Sequence, residues 1–223
     1  MLDSYLPGSG DWFDPNEVEP TRLAPYVWSV PMLRPAACRR LLEGLDQVAA
    51  AQAEPLEPPN SMHEHAWALE PMGASRLLDV LLRERLAPIA ATKFELFHGA
   101  TLDQRHGYLV NYGRAADQEL GFHLDDSEVT LNLCLDQEGS GAELVLMGLR
   151  CDLHRQGETQ AAEVFSIEHE IGTAIVHAGV HRHRVDPIQR GLRRNLILWA
   201  RSASVRPDGV VRLPVDHGDW CGA

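Results

Sequence analysis

Two histidines and a carboxylate stand where a single metal ion could take all three. His123 and Asp125 lie two apart in GFHLDDSEVT (residues 121–130), and His183 opens the downstream run HRVDP. On an extended strand end, residues two apart point to the same face, so His123 and Asp125 can reach one ion. Two imidazoles and one carboxylate make a facial triad that leaves three positions of an octahedral ion open. Non-haem iron uses that arrangement for oxygen chemistry. An isolated HxD is common, and its ordinary form is a hydrogen-bonded pair. Three features of context favour the metal: an apolar strand follows at once, Gly139 and Gly141 turn the chain into another strand, and a His-rich segment precedes an arginine-bearing strand.

The downstream ligand has competitors. His177, His181 and His183 share parity and would point the same way on an extended chain. His183 is favoured because Pro187 and Gly191 follow it into the strand carrying Arg193. His181 competes with it, and His177 suits a pocket role that orients a ligand. Zinc could occupy such a triad, but structural zinc prefers a closed set of Cys and His, and this segment has no matching cysteines.

The elements that must hold these residues are legible from apolar periodicity. Residues 1–34 read as an irregular arm rich in Pro, Gly and acids, ending in a short strand over 26–30. Residues 35–53 read as a helix with Pro35 in its first turn and Leu41, Leu42, Leu45 and Val48 on one face. A proline-rich break over 54–60 precedes a second amphipathic helix, 74–87, for which Ser75 is the candidate cap. Beyond Thr92 the pattern changes to short strands: 108–112, 129–135, 143–147, 163–167, 173–177 and 194–199. Such strands at modest spacing predict a jelly roll or barrel. The organisation expected is therefore an arm (1–34), one domain (35–205, with helical support over 35–91 and a β core over 92–205) and a C-terminal tail (206–223).

Composition limits the function classes. The chain has 223 residues, 44% of them hydrophobic, enough for a real core. A net charge of -12 argues against a phosphate-backbone binder and so against a nucleic-acid partner. The local arginines 182, 184, 190, 193 and 194 read mostly as a solvated strand edge, with Arg194 facing solvent opposite Arg193. The cysteines, Cys38, Cys134, Cys151 and Cys221, show no CxxC pair and no disulfide framework, and Cys134 reads as a small core residue. No secretory signal and no stretch of ~20 apolar residues is visible, so a soluble intracellular protein with no membrane partner is expected.

The stretch from about Leu109 to Arg201 resembles the 2-oxoglutarate- and Fe(II)-dependent dioxygenases, in their prolyl-4-hydroxylase-like branch. The pieces that carry the likeness are LVNYG (109–113), GFHLDD (121–126), EVTLNLCL (128–135) and HRVDPIQRGLRRNLILW (183–199). It is strongest to the subgroup called 2-oxoglutarate and iron-dependent oxygenase domain-containing proteins. The resemblance implies a double-stranded β-helix, mainly β with supporting helices. It implies His123, Asp125 and His183 as iron ligands. Arg193 would hold the distal carboxylate of 2-oxoglutarate, and Tyr112 would help to hold the cosubstrate. Alternation adds Asn132 and Thr130 as pocket-lining residues. The helper Tyr that some relatives carry on the 129–135 strand is absent. The implied activity is hydroxylation of a C–H bond in a protein or small-molecule substrate, a prolyl or lysyl side chain being the fold-level candidate. Fe(II), 2-oxoglutarate and O2 would be required, and ascorbate is a candidate auxiliary. The alternatives are a cupin-like module that binds a metal or ligand without turnover, and a metal-dependent hydrolase that would need neither O2 nor Arg193.

Overall fold

The structure, a computed structural model, describes residues 12–13, 19–53, 56, 58–97, 101–206 and 208–222. The first strands among the described residues are β1 (Thr21–Ala24) and β2 (Val27–Pro31), joined through Tyr26 at φ 54°. Helix α1 (Pro35–Ala50) and the two-residue β3 (Trp67–Ala68) follow. A second helical stretch comprises α2 (Ser75–Val80), a π segment (Leu81–Leu86) and α3 (Ala87–Lys93). The β core then runs β4 (Gln104–Gly113), β5 (Leu120–His123), β6 (Val129–Gly141), β7 (Leu144–Met147), β8 (Val164–Ile167), β9 (Thr173–Ala178), β10 (His183–Val185) and β11 (Ile188–Arg201).

These strands form two antiparallel sheets. The larger has the order β1-β2-β9-β6-β11-β4-β3 and the smaller β5-β10-β7-β8, the two walls of a double-stranded β-helix. Alternation along the long strands separates two cores. Leu131, Leu133, Leu196 and Leu198 point outward to meet the helices. Tyr108, Val110, Ile175, Ile197 and Trp199 point inward between the sheets. Helix α1 buries Ala37, Cys38, Leu41, Leu42 and Leu45 against the outer face, and the second helical stretch buries Leu77, Leu78, Leu81, Leu82 and Leu86 beside it.

Several sequence expectations change in detail. The 1–34 segment contributes the β1–β2 hairpin, with β2 laid along β9, so its strand is part of the main sheet and precedes both helices. The second helix does not end at Ala87 but continues to Lys93. Its wide π turn lies just before Pro88, whose ring and missing N–H would otherwise break the regular ladder. Ser75 is the first helical residue; Ala74 is the cap and makes no side-chain bond. Arg194 is not solvent-facing. It is buried, donates to both carboxylate oxygens of Asp46 on α1 at 2.9 and 2.6 Å, and donates to Asn111 at 2.9 Å. The arginine points away from Arg193 as alternation requires, but α1 covers that face. In the C-terminal segment, Trp220 packs edge-on against Tyr26.

Candidate functional site

The smaller sheet brings the two candidate ligand histidines together. His123 ends β5, His183 begins β10, and the two are direct partners across that ladder, with ring centroids 4.0 Å apart. Asp125 lies two residues beyond β5, where its N–H donates to the Gly179 carbonyl at 2.8 Å. Nε2 of His123 and Nε2 of His183 are each 3.6 Å from Asp125 Oδ1. The three donor atoms lie within 4.8 Å of one another.

Hydrogen bonds fix how each group presents itself. Nδ1 of His123 lies 2.8 Å from the Gly121 carbonyl, and Nδ1 of His183 lies 2.8 Å from the His181 carbonyl. A carbonyl only accepts, so each Nδ1 carries the proton and each Nε2 turns a lone pair inward. The carboxylate is oriented in the same way. Thr130 donates its hydroxyl to Asp125 Oδ2 at 2.6 Å, and Ser127 donates to Thr130 at 2.7 Å, which leaves Oδ1 facing the histidines.

The charges suit metal ligation. Burial, reinforced by His183, pushes His123 down to about 4, so its imidazole is neutral near pH 7. Enclosure opposes ionisation of Asp125, but the imidazoles of His183, His177 and His123 and the Thr130 hydroxyl together hold it below the usual carboxylate range. An ionised carboxylate and the neutral imidazole of His123 can accept a divalent cation without first losing protons.

The same cavity is also lined by Arg193. It is 2% exposed on β11, and one Nη donates to the Ala142 carbonyl. Its Nε and Nη2, the two nitrogens of one guanidinium edge, have no partner among the described residues. Burial lowers the pKa of this guanidinium, opposed by Cys134, with which it also hydrogen-bonds, and by Glu143 and Tyr112. Two further polar atoms there are equally unpaired, Asn195 Oδ1 and His169 Nε2. Buried polar atoms are normally satisfied, so this concentration marks a polar ligand's place. An edge of two parallel donors matches a carboxylate.

Tyr112 stands directly across the β4–β11 ladder from Arg193, and burial raises its phenol well above the ordinary range, so it stays a neutral hydroxyl. Asn132 accepts a 2.6 Å bond from Asn195 on the cavity wall. His177 also lines the cavity, with Nε2 3.8 Å from Asp125 Oδ2 and Nδ1 donating to the Ala178 carbonyl at 2.9 Å. His181 is not brought to the cluster. It is buried behind β10, with Nδ1 3.2 Å from the Arg182 carbonyl.

Sequence reasoning missed several cavity residues, three of them with nitrogen in the side chain. His63 enters from the segment after the proline-rich break, and its Nδ1 is 3.1 Å from Asp117. His169 comes from the turn before β9, and Asn195 shares the inward face of β11. The Asn195 signal was present, since it has Arg193's parity. The two histidines sit in loops, where no periodicity reports direction.

No family model matches the chain. It is 37% identical over 201 residues to the 2-oxoglutarate and iron-dependent oxygenase domain-containing protein ICU11 of Arabidopsis thaliana, covering 89% of this chain and 50% of that one. The chain spans about half the length of the curated relatives it matches. Among solved structures, AviO1 from Streptomyces viridochromogenes superposes with a TM-score of 0.61 at 20% identity, over 86% of this chain and 94% of that one. A Pseudomonas putida prolyl-4-hydroxylase superposes with a TM-score of 0.56 at 18% identity, over 79% and 92%. At such identities these two show the shared fold.

Proposed function

From its membership of the 2-oxoglutarate and iron-dependent oxygenase family, we propose that this chain hydroxylates a C–H bond, with His123, Asp125 and His183 holding Fe(II) and Arg193 anchoring 2-oxoglutarate. One observation carries the reading: an oriented His–Asp–His cluster and a buried, half-unpaired guanidinium line one and the same cavity. A hydrolase needs the first of these and has no use for the second.

With Fe(II) in place, 2-oxoglutarate and O2 supply the oxidation: the keto acid leaves as succinate and CO2, and one oxygen atom goes to the substrate. The protein's part is ligand geometry and orientation. Gly121 and His181 carbonyls hold the two Nε2 lone pairs inward, and Thr130 leaves one oxygen of Asp125 to the metal. The free edge of Arg193 grips the far carboxylate of the cosubstrate, so its keto-acid end is delivered to the ligand cluster in one orientation. Tyr112 and Asn132 line the same cavity. The substrate class we assign is a prolyl or lysyl side chain, a reading at the level of the fold.

Anaerobic addition of Fe(II) and 2-oxoglutarate tests this. A metal-to-keto-acid charge-transfer band should appear, vanish in Asp125→Ala, and need far more 2-oxoglutarate in Arg193→Ala. Metal binding with no band at saturating keto acid would leave a metal-binding jelly roll instead. Prolyl and lysyl peptides followed by mass spectrometry for gain of one oxygen atom then test the substrate class.

A further inference from the structure

Outside that cavity a second set of metal-ligating side chains converges. Cys151 and His154 lie in the turn after β7 (CDLH, 151–154), and His217 and Cys221 lie in HGDWC (217–221) near the C-terminus. Cys151 Sγ is 3.8 Å from Cys221 Sγ, 3.2 Å from His154 Nδ1 and 3.6 Å from His217 Nδ1. Cys221 Sγ is 3.8 Å from His154 Nδ1. All four donor atoms lie within 4.8 Å of one another.

Those separations can be compared with what a metal demands. Around tetrahedral zinc, with Zn–S about 2.3 Å and Zn–N about 2.05 Å, two sulfurs stand about 3.8 Å apart, and a sulfur and a nitrogen about 3.6 Å. The sulfur–sulfur separation matches its edge, and the three sulfur–nitrogen separations, 3.2, 3.6 and 3.8 Å, bracket theirs. Its donors are two sulfurs and two imidazoles with no carboxylate among them, a set that suits zinc and not calcium or magnesium. Four protein ligands fill a tetrahedron, so no position is left for water or substrate. Both sulfurs are buried, and the Cys151 N–H donates to Cys221 Sγ at 3.4 Å, a bond that a thiolate accepts better than a thiol.

We propose that Cys151, His154, His217 and Cys221 form a closed tetrahedral Zn(II) site that fastens the C-terminal segment to the loop behind the candidate iron site. On binding, the two thiols release their protons and the imidazoles bind as neutral donors, with no change of oxidation state. The segments so joined already touch. Asp152 N–H donates to the Pro214 carbonyl at 2.8 Å, and Leu149 bridges Cys221. The loop also reaches the iron site. Arg182, next to His183, donates to the Gly157 and Arg155 carbonyls at 2.6 and 2.9 Å. Zinc at the base of this loop therefore steadies the strand that delivers His183.

The test uses the full chain. Metal analysis should find zinc in the purified protein that survives Asp125→Ala and is lost in Cys221→Ser. Cobalt(II) added to apo Asp125→Ala, in which the iron cluster is disabled, should give sulfur-to-cobalt charge-transfer absorption together with intense tetrahedral ligand-field bands. Since that protein keeps both cysteines, the spectrum decides the matter even if Cys221→Ser does not fold. A cobalt spectrum without thiolate charge transfer overturns the proposal. So does a Cys151–Cys221 disulfide, read as the linked pair of peptides in a non-reducing digest.

Discussion

Replacing Arg193 by Met separates a ligand anchor from a structural arginine, because the two roles predict opposite changes. In the free protein the guanidinium is buried with Nε and Nη2 unpaired, and one Nη donates to Ala142. Removing an inadequately paired buried cation relieves a desolvation cost of a few kcal/mol. It also orphans the Ala142 carbonyl, a loss of about 1 kcal/mol. The stability of the ligand-free protein should thus stay level or rise. The cosubstrate should suffer. Two charge-assisted bonds to a carboxylate are worth about 1.5–3 kcal/mol each before the solvation of the free ligand is restored. A net loss of about 3 kcal/mol weakens 2-oxoglutarate roughly a hundredfold. Arg193→Lys keeps the charge without the two-pronged edge and should fall between, near tenfold on the same scale. Calorimetric titration of the Fe(II) protein with 2-oxoglutarate and urea unfolding of the ligand-free protein read the two quantities. A Met variant that unfolds several kcal/mol more easily yet binds 2-oxoglutarate within threefold of the parent would refute the assignment.

Other perturbations reach different parts of the design. Thr130→Val keeps the shape but removes the hydroxyl that donates to Asp125; Fe(II) affinity, measured by anaerobic titration, should drop roughly tenfold to a hundredfold. His177 and His181 are pushed down by burial to about 4 and about 3. Their folded pKa values lie below the unfolded value of about 6.5, so the stability they contribute is present above that pH. It is lost as pH falls from about 6.5 through 4 and toward 3, and metal-free urea midpoints should decline across that window, less steeply in His181→Gln. Gly191 has φ +91°, and a Cβ there would stand 2.0 Å from the Glu138 carbonyl oxygen. Gly191→Ala should therefore lower stability by more than about 1 kcal/mol in urea titration. Asp46→Asn removes the charge opposite Arg194, but because Asp46 is half exposed the cost should be about 1 kcal/mol or less, read by the same titration.

What the sequence disclosed follows from how far each signal reaches along the chain. Long apolar strands such as β6 and β11 announce themselves by alternation, and the parity of Arg193 with Ile197 and Trp199 correctly aimed it between the sheets. β5 and β10 gave no such signal. They are four and three residues long, and β5 leaves Phe122 57% exposed, so no buried stripe marks it. Yet these two strands make the His123–His183 pairing. Alternation also tells which side a residue faces without telling what covers that side. Arg194 was therefore misplaced, since the helix carrying Asp46 lies far away in sequence. The same limit hid the fourfold meeting of Cys151, His154, His217 and Cys221, whose spacings of two and three intervening residues were present but separated by sixty-two residues.

The residues that line the cavity rest on unequal foundations. Arg193 belongs to a strand paired along its length on both sides by β4 and β6, whereas His123 and His183 belong to short strands, and β5 is the outer edge of its sheet. Segments with little pairing open at lower free energy than the centre of a large sheet. Amide exchange should therefore be slower around Arg193 than around His123 and His183. An ion bound by both β5 and β10 acts as a crosslink between them and stabilises the small sheet by mass action. On the proposed assignment, losing the metal and loosening that wall of the cavity would be one event, and metal occupancy would set how firmly the cavity is closed.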